Sequence, residues 1–135
     1  ISISADDTEL WIDTWNDGMA RLFDISDPFN PVEVQQTRIG AQINMASQSW
    51  DGKRIYFISS LLANWDKTEA PEGEDLQYFK SYTWDGKKLS HEFTIDFVAE
   101  NLGLPHQMRF GAYSLYGQSH PNVAASEMPG NSGGN

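Results

Sequence analysis

The fold is decided by a segment that occurs twice, first as Asp6-Asp7-Thr8-Glu9-Leu10-Trp11-Ile12 and again as Asp51-Gly52-Lys53-Arg54-Ile55-Tyr56-Phe57, an offset of 45 residues. A repeat of roughly 40–50 residues is typical of β-propellers, in which each blade is a small antiparallel sheet. Because a single blade cannot bury both of its apolar faces, it needs neighbouring blades. The repeat therefore predicts all-β propeller blades, and we expect the 135 residues to be a fragment of a larger ring.

Strand-forming stretches account for almost two such blades. They are rich in aromatic and β-branched residues and are bounded by Gly, Pro, Asn or Asp. The predicted strands cover residues 10–15, 20–25, 32–39, 41–49, 54–62, 76–83 and 89–97. On the last strand, strict alternation puts the odd-numbered residues from Leu89 to Phe97 on one face. We expect one short helical turn over 98–104, a propeller part over 1–126 and a flexible tail over 127–135.

The net charge of −10, from 19 acidic and 9 basic residues, disfavours two classes of partner. Nucleic acids and anionic membrane surfaces both select a basic face. No apolar run is long enough to span a bilayer. From the acidic charge and the missing span together, we expect neither a nucleic-acid partner nor a membrane partner. The chain has no cysteine, which excludes disulfides, thiolate metal ligands and thiol nucleophiles within it.

The histidines are the candidates for metal chemistry. His106 follows Pro105 after the last predicted strand, and an imidazole at the entry to a strand can point into a central channel and bind a transition metal. The alternative for His106 is an ordinary hydrogen-bonded loop residue. We expect His91, in the middle of a strand, and His120, near the C-terminus, to be surface or cross-strand residues.

Acidic residues give weaker signals. Four of them cluster in the loop before residue 76 without the spacing or central glycine of a calcium loop, namely Glu69, Glu72, Glu74 and Asp75. The pairs Asp13/Asp17 and Asp24/Asp27 could suggest acid–base catalysis. In a repeat fold we expect these four residues to stabilise turns and strands instead.

Four segments resemble the C-terminal part of the selenium-binding protein / methanethiol oxidase family. They are Asp24-Ile25-Ser26-Asp27-Pro28-Phe29-Asn30-Pro31, Ser49-Trp50-Asp51-Gly52-Lys53-Arg54-Ile55-Tyr56, Ser59–Lys67 and His106-Gln107-Met108-Arg109-Phe110. They are similar, in order, to the family's Asp-x-Ser-Asp-Pro-x-x-Pro turn, its Ser-x-Asp-Gly-Lys-Arg-Leu-Tyr segment, its Ser-Leu-x-x-x-Trp-Asp segment and its His-Glu-hydrophobic-Arg-Tyr segment. The chain departs from the family at Ile43-Asn44-Met45, which keeps only the methionine of a Gly-Gly-x-Pro-Gln-Met stretch, and at Gln107, which replaces glutamate.

The resemblance implies a seven-bladed propeller of which this chain is roughly the last third. It also implies oxidation of methanethiol, with oxygen and water, to formaldehyde, hydrogen sulfide and hydrogen peroxide. Copper would be the cofactor, with His106 as a ligand or near neighbour and Arg109 as a residue that orients the surrounding groups. An ordinary salt bridge is the alternative for Arg109.

The resemblance also bears on partners and compartment. It implies a small thiol substrate, oxygen and the rest of the propeller chain as partners, and it leaves a homo-oligomer open. A bacterial protein of this kind would be periplasmic, and an animal one would be cytoplasmic.

Two other functions remain open at this point. The first is a non-enzymatic propeller that acts as a binding scaffold, which the repeat and the acidic composition would suit. The second is a glycan-binding β-domain, suggested by Trp11, Trp15, Trp50 and Trp65. The blade-like positions of these tryptophans favour packing within or between blades instead.

Overall fold

Two four-stranded antiparallel sheets make up the part of the chain that the structure, a computed structural model, describes: residues 1–59, 71–74 and 77–110. Blade 1 consists of β1 (Ser2–Ile3), β2 (Glu9–Thr14), β3 (Met19–Asp24) and β4 (Val32–Arg38). Blade 2 consists of β5 (Ile43–Gln48), β6 (Arg54–Ser59), β7 (Tyr78–Trp84) and β8 (Leu89–Asp96). Within each blade the strands pair in chain order, so the all-β prediction is confirmed.

The sequence repeat is reproduced in the hydrogen bonds of the turn between the first two strands of each blade. Ser4 Oγ accepts a hydrogen bond from the Glu9 amide at 2.9 Å. In blade 2, Ser49 Oγ accepts the equivalent bond from the Arg54 amide at 3.0 Å. The side chains therefore keep the 45-residue period that the sequence shows.

The core lies between the two blades. Trp11 of β2 is fully buried, and its ring meets the ring of Trp84 edge-on with centroids 5.3 Å apart. The Trp84 indole N–H donates to both carboxylate oxygens of Glu9 at 3.2 Å, which links the blades by a charge-assisted hydrogen bond. The other buried apolar residues of this core are Ala20, Leu22, Ile39, Ile43, Ala46, Ile55, Phe57, Tyr78, Tyr82 and Leu89.

Strand β8 departs from strict alternation. The register shifts between Ser81 and Tyr82, so that His91 lies opposite Tyr82 whereas Phe93 lies opposite Ser81. A bulge sets two residues of one strand against one of its partner, and it moves the side chains beyond it to the other face. The prediction that odd-numbered residues share one face along this strand is therefore wrong.

The chain leaves β8 through a hydrogen-bonded turn. The Glu100 amide donates to the Asp96 carbonyl at 3.0 Å, and Asn101 adopts a left-handed conformation with φ of 52°. The left-handed residue stops further helical bonding, so the expected helical turn is one isolated turn. The predicted boundary at 126 and the predicted tail 127–135 lie outside the described residues. Within the described ranges, no helix is long and apolar enough to cross a membrane.

Candidate functional site

His106, the predicted metal ligand, lies at an accessible point just after the turn that follows β8. Its neighbour Pro105 is buried, whereas His106 itself is exposed. An exposed imidazole can present a ring nitrogen to a metal ion or a substrate. This position is compatible with a ligand role, and the role itself stays a prediction.

Two contacts hold the chain beside His106 against blade 2. Ser47 Oγ donates a hydrogen bond of 2.8 Å to the Met108 carbonyl oxygen. The Phe110 ring packs against the Tyr56 ring with centroids 5.3 Å apart and planes inclined by 45°. Ser47 and Tyr56 are direct partners across β5 and β6, so both contacts come from one pair of opposed residues in the sheet.

Ser47 has an equivalent in the preceding repeat. Ser2 lies 45 residues earlier, and its Oγ accepts a hydrogen bond of 3.3 Å from the side-chain amide of Gln48 in β5. In both repeats, a serine of the first strand of a blade bonds to the segment that comes next around the sheets. Ser2 accepts from a side chain, whereas Ser47 donates to a main-chain carbonyl, so the two serines share a position in the repeat and differ in their bonds.

A cavity of 330 Å³ lies between this segment and the first strands of the two blades. Its wall includes apolar side chains from Ile3, Met108 and Phe110 and the polar side chain of Gln48. Small-molecule sites have volumes of this order and the same mixture of apolar walls with a few polar groups. The cavity is lined by residues 107–110, directly after His106, which does not itself line it.

Arg109 is exposed and forms no ion pair with another described residue. The salt bridge considered for it is therefore not found within the described part of the chain. Its predicted role in orienting groups around a metal remains a prediction.

His91 lies apart from this segment, with contacts of its own on β7 and β8. The His91 ring meets the Tyr82 ring edge-on with centroids 5.3 Å apart, and its Nε2 is 2.8 Å from Thr94 Oγ1. These local contacts on blade 2 agree with the expected cross-strand role of His91. His120 lies outside the described residues.

Copper sites in proteins are built from several nitrogen or sulfur donors close together. In the described part of the chain, no group of three or more His, Asp or Glu side chains lies close enough together to hold a metal ion. Imidazole is a ligand type that suits copper, and His106 offers one accessible ring. The described residues thus offer copper a single ligand, His106, and the further ligands of a copper site would have to lie outside the described residues.

The paired aspartates do not form an acid–base pair. Asp17 accepts hydrogen bonds from Thr14 and from Arg21, the latter at 2.6 Å, and these bonds lower the pKa of Asp17 to about 2. Only 6% of the Asp13 side chain is exposed, and burial raises the pKa of its carboxyl group. The Asp17 carboxylate therefore stabilises the turn after β2, whereas the Asp13 carboxyl is buried within β2.

The second pair behaves as predicted for turn residues. Asp24 accepts a hydrogen bond from the Ser26 amide at 2.9 Å. Asp27 accepts bonds from the Phe29 amide at 3.0 Å and from the Asn30 side chain at 2.7 Å. Both carboxyls are used to close the turn after β3.

Glu74, one of the clustered loop acids, has a defined partner. Its carboxylate accepts two hydrogen bonds from Arg38 Nη2, at 2.7 and 2.9 Å, and so connects the loop of blade 2 to β4. Glu72 is exposed, and Glu69 and Asp75 lie outside the described residues. The Glu74 contact is structural and does not indicate a cation site.

The tryptophans divide into buried and exposed positions. Trp11 is completely buried and Trp15 is half-buried, whereas Trp50 is 58% exposed. Packing within or between blades was expected for all of them, and within the described part of the chain Trp50 has no such cover at the tip of the turn after β5. Trp65 lies outside the described residues.

Sequence reasoning did not single out Ser47 and Tyr56, the residues that contact the segment beside His106. The signal that could have identified Ser47 is its equivalence to Ser2 in the repeat. The Tyr56–Phe110 contact joins residues far apart in sequence, and no local pattern marks it.

Comparison with known proteins shows a consistent family. Residues 1–114 match the family described as 56kDa selenium binding protein (SBP56). A methanethiol oxidase from Ruegeria pomeroyi is 56% identical over 116 residues, which cover 86% of this chain and 26% of that protein. A methanethiol oxidase from Hyphomicrobium sp is 51% identical over 112 residues, which cover 83% of this chain and 25% of that protein. A human methanethiol oxidase is 31% identical and covers 82% of this chain.

A solved structure supports the fold assignment. The X-ray structure of a hypothetical selenium-binding protein from Sulfolobus tokodaii aligns with a TM-score of 0.59 and 29% identity, covering 70% of this chain and 25% of that one. The predicted propeller-blade fold and the predicted family are therefore confirmed. The chain spans about a quarter of the length of the bacterial relatives that it matches. We conclude that the chain belongs to the 56kDa selenium binding protein (SBP56) family.

Proposed function

We propose that this chain is part of a methanethiol oxidase. The observation that carries the proposal is the identity of 56% and 51% to two bacterial methanethiol oxidases over most of the chain. The stretch matched by the family, residues 1–114, includes the whole segment from His106 to Phe110. The proposed reaction converts methanethiol, oxygen and water to formaldehyde, hydrogen sulfide and hydrogen peroxide.

Within this proposal His106 is a copper ligand. Bound copper would supply one-electron redox chemistry between a soft thiolate sulfur and oxygen. The part of this chain is to present the His106 ring from a segment held between buried Pro105 and the Ser47 hydrogen bond. The cavity of 330 Å³ beside residues 107–110 would admit a small thiol.

The proposal extends to partners and compartment. The remaining copper ligands and the closing blades would come from the rest of the propeller chain. For a bacterial source, we propose the periplasm as the compartment.

Measurements on the intact protein that contains this chain test the proposal. Copper content and methanethiol-dependent oxygen uptake are compared for the wild type, His106→Ala and His91→Ala. Both histidines are exposed, but the His91 ring bonds to Thr94 Oγ1 and packs against the Tyr82 ring. His91→Ala is therefore the matched control. We expect turnover to be lost and copper content to fall below the wild-type value only in His106→Ala.

Two results would count against it. Retention of copper and turnover in His106→Ala would remove His106 from the site. A wild-type protein that holds no metal and shows no thiol-dependent oxygen uptake would favour a non-enzymatic binding scaffold.

A further inference from the structure

We propose that Ser47 and Tyr56 are positioning residues that fix His106. The inference deepens the proposed function and rests on it for every statement about copper. Neither residue is proposed to touch copper or substrate. They act through the main chain of residues 106–110, and that action can be measured independently of any metal.

The geometry places His106 between two fixed points. Pro105 is buried, and its ring restricts its own φ angle, which limits how the chain can enter the segment. The Met108 carbonyl oxygen is held by Ser47 Oγ at 2.8 Å. Two residues of extended chain span only about 7 Å, so the bond at Met108 acts close to the His106 backbone.

The second contact prevents the segment from rotating about the first. The Phe110 ring packs on the Tyr56 ring with centroids 5.3 Å apart, two residues beyond Met108. Tyr56 is itself packed against Phe79, at 5.4 Å between centroids, so it is anchored in the sheet. A hydrogen bond and a ring contact at different points together define an orientation that neither could define alone.

The two contacts are mechanically coupled because Ser47 and Tyr56 lie opposite each other across β5 and β6. Both are half-buried, so solvent competes only partly for their contacts. Residues that orient a metal ligand without binding the metal commonly alter metal affinity when they are replaced. A site of this kind depends on rigid support from secondary structure, which this part of blade 2 provides.

The first test compares matched serine variants in the intact protein. Ser47→Ala removes the hydroxyl that bonds to Met108, whereas Ser90→Ala removes a half-buried strand hydroxyl on β8. Hydrogen–deuterium exchange is measured for the amides of residues 106–110 in the metal-free protein. We expect exchange to be faster by about threefold to tenfold in Ser47→Ala and unchanged in Ser90→Ala. The lost bond ends on the Met108 carbonyl oxygen, so exchange rises because the segment detaches from β5 more often. Ser47→Thr, which keeps a hydroxyl, should restore slow exchange.

A second pair of variants isolates the ring contact. Tyr56→Phe keeps the ring that packs on Phe110, whereas Tyr56→Leu removes it. We expect faster exchange in 106–110 only for Tyr56→Leu. Far-UV circular dichroism of each variant verifies that blade 2 is intact.

Copper titration then tests the functional part. We expect the Kd for copper to rise about tenfold in Ser47→Ala and in Tyr56→Leu, and to stay unchanged in Ser90→Ala and Tyr56→Phe. Unchanged exchange in both disruptive variants would overturn the positioning inference. Faster exchange with an unchanged Kd would overturn the link from the segment to the metal.

These outcomes can be told apart from failure of the proposed function. If His106→Ala keeps the copper content and turnover of the wild type, the proposed ligand role fails. The exchange measurement on the metal-free protein still confirms or overturns the anchoring of the segment in that case.

Discussion

Gly18 and Gly52 have almost the same backbone conformation, with φ of 66° and 67°, in different surroundings. A Cβ added to Gly18 would collide with the carbonyl oxygen of Gly40, whereas the space around Gly52 is open within 4 Å. The left-handed conformation alone costs a non-glycine residue about 1–2 kcal/mol. The difference between the two positions is therefore a difference in packing.

Alanine substitutions at these glycines should separate strain from collision. We expect Gly52→Ala to lower the unfolding free energy by about 1 kcal/mol and Gly18→Ala to lower it by at least about 3 kcal/mol. Urea unfolding of the two variants checks this. Equal losses would mean that Gly40 yields to the added methyl group and that the approach of the two chain segments is not tight.

Asp13 and Asp17 should respond to pH in opposite directions. Burial raises the pKa of Asp13, so its contribution to stability is fully present below the unfolded-state pKa and is lost as pH rises through the folded-state pKa. Hydrogen bonds lower the pKa of Asp17 to about 2, so its contribution is lost as pH falls towards that value.

Substitution by asparagine tests the buried carboxyl. From about pH 4 upwards, the unfolding free energy of Asp13→Asn should fall less with rising pH than that of the wild type. Asp17→Asn, the control, should flatten the profile only below about pH 5, where the unfolded-state carboxyl takes up its proton, and should keep the wild-type slope above it. Superimposable profiles for Asp13→Asn and the wild type would contradict the assignment of a raised pKa to Asp13.

The positions of the strands were largely predictable from the sequence. Which side chains share a face of a strand was less predictable. The turn signals at Asn16–Gly18, Asp51–Gly52 and Asp85–Gly86 fall between the observed strands because these residues favour tight turns. The bulge opposite Ser81 was not predictable, because apolar and polar residues alternate regularly along the sequence of β8. Only the pairing of β8 with β7 shows where the register shifts. The Tyr56–Phe110 contact was not predictable either, because it joins residues far apart in sequence and no local pattern marks it.

The contribution of a tryptophan to the unfolding free energy should depend on whether its ring lies between the two sheets. Trp11 is fully enclosed between the blades, whereas Trp50 is 58% exposed at a turn. We expect Trp11→Ala to cost about 3–5 kcal/mol and Trp50→Ala to stay within about 0.5 kcal/mol. Thermal and urea unfolding of both variants check the contrast, and a large loss for Trp50→Ala would show that further contacts cover that ring.

At the scale of the whole molecule, the repeat predicted propeller blades and the resemblance predicted the family. The candidate site could be predicted only in part. His106 was predicted because a short segment of the family pattern surrounds it, and that prediction stays open. The described residues offer one exposed imidazole in this segment and no group of three potential ligands. A ring of blades assembles ligands from positions far apart in sequence, so local patterns within two blades do not reveal the complete set.

We propose that His106 binds copper in the intact protein, and this can be measured directly. Pulsed electron paramagnetic resonance of the copper(II) form measures the couplings of imidazole nitrogens to the metal. We expect His106→Ala, loaded with excess copper, to show one fewer coupled imidazole than the wild type, and His91→Ala to show the same number. Identical nitrogen couplings in His106→Ala and the wild type would contradict it.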